Sequence, residues 1–381
     1  MSSAWLLPEH FADVLPAQAR RLEEMRRQLL DLARQHGFEL VMPPLIEHLE
    51  SLLSGTGGGQ DLRTFKLVDQ LSGRSLGVRA DTTPQVARID AHLLNRRGVT
   101  RLCYCGPVAH ARPSGALASR EPLQFGVEIY GHAGLEADLE VLDLALEALR
   151  ALGLPPPLVE LSDARCVRAL LPDPVPQAVL DALAVRSPGA LQAAGQSLPH
   201  FKALEALLQL EGDASVLDQA QAVLPPLPGI GAALTDLRWL GEHLQRSHPE
   251  LRLAFDLAAV AGNAYYSGAS FNAYVPGSSE ALIRGGRYDE VGAVFGRRRP
   301  AVGFSLDLKV LLDLLPVQAL GAAVRAPWSE DPELRALVRS LRAKGETVVW
   351  MLPGHEHEAE EYACDRELVR NADNQWALCA L

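Results

Sequence analysis

The sequence predicts an α+β fold: an antiparallel sheet flanked by helices, with a helical insertion and a small C-terminal α/β lobe. Three observations predict it. Between residues 62 and 132 short apolar runs alternate with turn residues, the spacing of an antiparallel sheet. Two stretches, 17–36 and 137–152, carry apolar residues three and four positions apart, as one face of a helix requires. Residues 164–248 are rich in Ala, Leu and Gln with little β-branching, which reads as inserted helix. At 381 residues and 48% hydrophobic content the chain can bury sizeable cores in two or three domains, so global disorder is excluded. A core over 1–320 and a lobe over 321–381 are the expected divisions.

In chain order, Leu22, Met25, Leu29 and Leu32 define the first helix, which Gly37 stops. Phe38–Met42 is strand-like until Pro43-Pro44. The glycine-rich stretch 53–60 lacks the Lys-Ser/Thr that closes a phosphate loop, so it reads as a mobile loop, with a substrate lid as the sharper alternative. Strands are expected at Thr64–Val68, Ser75–Arg79, Arg101–Tyr104 and Leu123–Tyr130, with a helix at Pro84–Asn95. After the helix at Ala137–Leu152, Pro155-Pro-Pro157 leads into a strand at Leu158–Leu161. Beyond the insertion, strands are expected at Arg252–Asp256, Phe271–Val275 and Ala281–Gly286, then a helix near Ser305–Leu315. The tail from Ala322 carries a helix at Asp331–Lys344 and a strand at Thr347–Leu352.

Net charge is 36 minus 47, or −11, so nothing pulls the whole chain toward nucleic acid. The basic run Arg297-Arg298-Arg299 reads as a solvated loop. No apolar run reaches the roughly 18 residues of a membrane span and no signal pattern opens the chain, so no membrane partner and a cytoplasmic location are expected. Cys103, Cys105, Cys166, Cys364 and Cys379 are scattered, which favours buried thiols over disulfides or a metal site. His355-Glu-His357 without further ligands reads as a surface turn. No cofactor and no metal are expected.

Three strings are more specific: Val78-Arg-Ala-Asp-Thr-Thr-Pro84, Arg120-Glu-Pro-Leu-Gln-Phe-Gly-Val-Glu128, and Arg284-Gly-Gly-Arg-Tyr-Asp289 followed by Pro300-Ala-Val-Gly-Phe304. Paired glycines in a strand let another group approach the backbone. Gln124 and Glu128, an even number of residues apart, share one strand face. In this order, with Leu7-Pro-Glu9, Asp13-Val-Leu-Pro16, and Pro44 with Glu47, the strings resemble the catalytic domain of histidyl-tRNA synthetase, a class II aminoacyl-tRNA synthetase. The likeness covers about residues 6–152 and 250–315. It implies a class II synthetase-like sheet and self-association through the motif-1 region around Pro44 and Glu47. It also implies a histidine pocket made of Asp81, Thr83, Gln124, Glu128, Tyr265 and Tyr266. Carboxylates suit an ammonium and an imidazole, and tyrosines supply a wall and hydroxyls.

The residues that handle ATP in that family are changed. Ala109, His110 and Arg112 stand at its motif-2 Phe, Arg and Glu, and Leu117-Ala118 at its later Gly-Arg, although Arg120 is kept. Ala261-Gly-Asn-Ala-Tyr-Tyr266 replaces Arg-Gly-Leu-Asp-Tyr-Tyr, and Asp307-Leu-Lys-Val310 replaces the motif-3 Gly-Leu-Glu-Arg. Removing preorganised arginine donors from a developing phosphate charge costs several kcal/mol each. The C-terminal lobe is shorter than a synthetase anticodon-binding domain and lacks a basic patch with interleaved aromatics for stacking bases. A pocket kept without its ATP machinery resembles the regulatory subunit family of ATP phosphoribosyltransferase. That resemblance implies no catalysis by this chain, a short-form catalytic subunit as partner in a hetero-octamer, and histidine as feedback effector at the first step of histidine biosynthesis. The rival expectations are an active histidyl-tRNA synthetase and an RNA-binding regulator.

Overall fold

A nine-stranded sheet organises the first of two compact units, Met1–Pro316; the second is Val317–Leu381. The computed structural model describes residues 6–54, 59–115, 118–260, 265–316, 321–355 and 363–381. Residues 55–58 of the glycine-rich stretch, the segment 261–264, Leu117 and His357 lie outside the described residues.

Helix α1 (Pro16–Gln35) buries Leu22, Met25, Leu29 and Ala33 along one face and ends before Gly37, whose φ of 80° suits glycine. Then come β1 (Glu39–Leu40), β2 (Ile46–His48), α2 (Leu49–Leu53), α3 (Gly59–Arg63), β3 (Phe65–Val68), β4 (Ser75–Val78) and α4 (Thr83–Arg88). A π-helical turn at Ile89–Leu94 continues α4 until Asn95, whose left-handed backbone stops it. Next are β5 (Thr100–Pro107), β6 (Leu123–Tyr130), α5 (Glu136–Ala151) and β7 (Leu158–Asp163).

The inserted stretch supplies α6 (Ala164–Arg168), α7 (Gln177–Ala184), α8 (Pro188–Gly195) and α9 (Phe201–Leu207), then a two-residue strand, β8 (Glu211–Gly212), before α10 (Ser215–Val223) and α11 (Pro228–Ser247). Val179, Leu204, Leu217 and Leu237 of these helices belong to the same apolar cluster as Met25 and Leu29, so the insertion is continuous with the main core. Strands β9 (Arg252–Asp256), β10 (Ala269–Tyr274), β11 (Ile283–Arg287) and β12 (Ala301–Asp307) complete the unit with α12 (Leu308–Leu311).

The sheet order is β1-β5-β6-β12-β11-β10-β7-β9-β8. It is antiparallel except for β1 beside β5 and β7 beside β9, which are parallel. The strands read at Thr64–Val68 and Ser75–Arg79 do not join it. They form a separate three-stranded sheet with β2, on which Gly77 sits so tightly that a Cβ would lie 2.9 Å from Leu52 and Thr64. The helix expected from Ser305 starts later: Ser305 pairs with Gly126 inside β12, and Asp307 caps α12 by accepting from Lys309 N at 2.9 Å.

Alternation gives the main sheet two faces. Phe125, Val127, Ile129, Phe304 and Ile283 pack with α1 and α5 into the large core. Leu102, Tyr104, Tyr130, Tyr288 and Ala301 form a smaller cluster on the other face, with Val86 and Ala87 of α4.

Two readings are corrected here. The run Arg297–Arg299 is not a solvated loop. Arg299 is buried against Asp90 at 2.8 and 3.0 Å, and Arg297 donates to Asn95 Oδ1 at 2.8 Å, because the run fastens the β12 approach to the π-helical turn. The thiols are not uniformly buried either. Cys103, Cys105 and Cys166 are, whereas Cys364 is half-buried and Cys379 is exposed on an edge strand. No described helix is long and apolar enough to cross a membrane.

The C-terminal unit has four strands in the order β14-β13-β15-β16: β13 (Ala322–Pro327), β14 (Val348–Met351), β15 (Ala363–Arg370) and β16 (Trp376–Ala380). Helix α13 (Pro332–Ala343) covers them through Leu334 and Val338. Asp331 caps α13 through Glu333 N at 2.9 Å and also accepts from Arg370 at 2.6 Å and Trp376 Nε1 at 2.7 Å.

Candidate functional site

The smaller-cluster face of the sheet carries the candidate site. On β6, Gln124, Gly126 and Glu128 alternate with Phe125 and Val127, so the amide and the carboxylate point away from the main core. Asp81 and Thr83 lie on the turn entering α4, directly over β6. Gln124 Nε2 donates to Asp81 Oδ1 at 2.8 Å, and Gln124 Oε1 accepts from Thr82 N at 2.9 Å. Thr83 N donates to Asp81 Oδ1 at 3.2 Å. Both ends of the Gln124 amide therefore hold the 81–83 turn to the strand.

Glu128 is the centre of the site and is 1% exposed. Tyr104 OH donates to it at 3.2 Å, Tyr288 OH donates to its other oxygen, and Thr83 Oγ1 lies 3.0 Å from Tyr104 OH. Burial pushes its pKa up to about 8; the hydroxyl donors pull it down, while the nearby Asp81 charge adds to the rise. Burial also raises the phenols of Tyr104, Tyr288 and Tyr265 well above their ordinary range, with the charge of Glu128 adding to each. They remain neutral donors at any physiological pH.

Glycines make room for the carboxylate. Glu128 pairs across the ladder with Gly303, which pairs with Gly286, so the floor beside it has no side chains for two strands. A Cβ on Gly303 would lie 1.7 Å from Glu128 Oε2. One on Gly126 would lie 2.3 Å from Tyr104 OH. Tyr265 stacks on Tyr288 with ring centroids 5.1 Å apart, and Tyr266 meets Tyr265 edge-on at 5.4 Å. Arg168 donates to the Tyr266 carbonyl at 2.7 Å. All six residues expected in the pocket thus come together on one face.

Sequence reasoning missed Tyr104 and Tyr288, which hold Glu128 directly. The signal for Tyr104 was its place opposite Gly126 in the antiparallel register. For Tyr288 it was the position two residues after Gly286, on the same face.

The residues that the resemblance sets at ATP-handling positions have partners of their own. His110 is buried, 3.0 Å from the Ala80 carbonyl and 3.0 Å from Arg63 Nη2, and burial first, then the Arg63 charge, lowers its pKa. Arg120 lies 5.0 Å from the ring centroids of both Phe11 and Phe65, and donates to the His110 carbonyl at 2.9 Å. Lys309 pairs with Glu121 at 3.1 Å, and Val310 is exposed.

The fold and this residue set define a chain of the histidyl-tRNA synthetase-like, class II kind. A family model described as histidyl-tRNA synthetase matches residues 10–311, and one described as the ATP phosphoribosyltransferase subunit HisZ C-terminal domain matches 321–379. The chain belongs to the family of ATP phosphoribosyltransferase regulatory subunits. It is 61% identical over 387 residues to the ATP phosphoribosyltransferase regulatory subunit of Variovorax paradoxus, covering 100% of both chains. It is 58% identical over 386 residues to that of Albidiferax ferrireducens, again over 100% of both. Among solved structures, an ATP phosphoribosyltransferase regulatory subunit/histidyl-tRNA synthetase from Bacillus halodurans superposes with a TM-score of 0.81 at 27% identity, over 92% of this chain and 93% of that one. Histidyl-tRNA synthetase from Nostoc sp. PCC 7120, at 18% identity and TM-score 0.74 over 99% and 97%, shares the fold.

Proposed function

We propose that this chain is a non-catalytic regulatory subunit that binds histidine between Asp81, Thr83, Gln124, Glu128, Tyr265 and Tyr266. In this reading it activates a short-form ATP phosphoribosyltransferase catalytic subunit within a cytoplasmic hetero-octamer. It also makes that enzyme sensitive to histidine at the first step of histidine biosynthesis. One observation carries the reading: the groups gathered around Glu128 are mutually hydrogen-bonded, while Arg120, the arginine that the resemblance keeps from motif 2, is spent over two phenylalanine rings. A nearly neutral Glu128 can donate its proton to an imidazole nitrogen, or pass it over and form an ion pair, without any proton entering from solvent. Feedback then needs only that histidine bind the inhibited assembly more tightly than the active one.

The test is reconstitution. Phosphoribosyltransferase activity is expected only when both subunits are mixed, and histidine should suppress it. With Glu128→Ala, activation should persist while suppression by histidine weakens at least tenfold. Full histidine sensitivity in that variant would discard the pocket.

Self-association through the motif-1 region is part of the same proposal. Ile46, Val78 and Phe65 form one cross-strand row of the three-stranded sheet, and His48, Leu76 and Leu67 the next on the same face. Ile46 and Leu67 are exposed, as are Leu40, Met42 and Leu45 on the neighbouring chain, an apolar concentration that water alone would leave uncovered. Ile46→Asp should convert a dimer to a monomer in sedimentation velocity with the fold intact by circular dichroism. An unchanged sedimentation coefficient would remove this face from the interface.

A further inference from the structure

An amino acid bound at this site presents three charged or polar ends, and the groups gathered around Glu128 answer only two of them. Asp81, Glu128 and the tyrosine hydroxyls suit an ammonium and an imidazole, and the acidic Asp81 repels a carboxylate. The Gln124 amide is used at both ends by Asp81 and Thr82. Four other described cations are engaged: Arg168 by the Tyr266 carbonyl, Arg120 by the His110 carbonyl, Arg79 by the carbonyls of Pro107 and Pro43, and Lys309 by Glu121.

Arg284 differs. It stands on β11 between Ile283 and Gly285, both turned to the main core, so it belongs with Gly286 to the site face. It pairs across the ladder with Ser305, which pairs with Gly126, so it is one row along from Glu128–Gly303–Gly286. That register puts the Cα atoms of Arg284 and Glu128 about 12 Å apart, two strand spacings across and two residues along. The Arg284 side chain is 59% exposed, and its contact with the equally exposed Glu280 is 3.5 Å long, a surface pair worth little. Tyr266 is near enough to both ends to feel their charges. Burial first raises its phenol pKa, the charges of Asp81 and Glu128 add to the rise, and the Arg284 charge opposes it. Acidic groups, an aromatic wall and a guanidinium therefore follow one another along the glycine floor.

We propose that Arg284 receives the α-carboxylate of the amino acid held at Glu128, its guanidinium leaving Glu280 to make a two-pronged contact with the ligand. This rests on the histidine-pocket reading and adds the residue that distinguishes an amino acid from its carboxylate-free analogues. A guanidinium fork suits a carboxylate better than an ammonium does, so lysine is a partial substitute.

Titration calorimetry on the full chain tests it with two probes, L-histidine and histidinol, in which CH2OH replaces the carboxylate. The unaltered chain should prefer histidine. Arg284→Gln should weaken histidine roughly ten- to a hundredfold, the range of a charge-assisted pair, and change histidinol less than twofold. Arg284→Lys should recover part of the loss. Equal losses for both probes, or unchanged histidine affinity in Arg284→Gln, would overturn the assignment of Arg284 and leave the pocket standing. Absence of histidine binding by the unaltered chain would overturn the pocket and this assignment together.

Discussion

Gly303→Ala is expected to lower the unfolding free energy by about 3 kcal/mol and to abolish ligand binding at Glu128. The added methyl meets the Glu128 carboxylate at 1.7 Å and the Val127 carbonyl at 2.3 Å. An unrestrained carboxylate would swing aside, but this one is held by Tyr104 and Tyr288, and the carbonyl belongs to the central ladder between β6 and β12. Relief therefore requires parting two central strands. Gly98→Ala is the control, because a methyl there meets nothing within 4 Å, and its effect should stay within about 0.5 kcal/mol. Urea unfolding of both variants checks the pair. Equal midpoints would show that the site is not packed as described.

The second large effect concerns pH. Burial raises the Glu128 pKa to about 8 from an ordinary 4.5, so between those values the folded chain holds a proton that the unfolded chain has lost. Stability from this group is fully present below the unfolded pKa and is lost as pH rises through the folded one. The loss is on the order of a few kcal/mol. Glu128→Gln has no proton to lose, so its thermal midpoint should decline less than that of the unaltered chain between pH 5 and pH 8. Parallel curves would mean that the carboxylate is ionised throughout. The same variant should bind histidine more weakly, since an amide can donate a hydrogen bond but cannot become the anion of an ion pair.

Periodicity made much of this legible. The spacing of Leu22, Met25 and Leu29 marks α1 correctly, and even separation puts Gln124 and Glu128 on one face, because both are local consequences of backbone geometry. What was hidden depends on pairing between distant segments. Tyr104 sits between two cysteines in a strand and becomes part of the site only because β5 lies opposite Gly126. The strand Ala301–Asp307 merges in sequence with the helix that follows, since its pairings with β6 and β11 leave no local mark beyond Gly303. Gln124 is read from sequence as a ligand residue, and its amide also fixes the turn that carries Asp81 and Thr83, a role that only the three-dimensional neighbours define. Arg299 likewise looks like one of three surface charges until Asp90 is brought beside it.

The chemistry of the site points in two directions that a single experiment separates. A chain that binds histidine without activating it must bind the amino acid and leave ATP intact. Histidine-dependent exchange of labelled pyrophosphate into ATP, run on the purified chain at a histidine concentration shown by calorimetry to saturate it, measures both halves at once. The account predicts saturable histidine binding with exchange no faster than in the absence of histidine. Exchange that rises with histidine would contradict it, because adenylate would then be forming at Glu128's pocket.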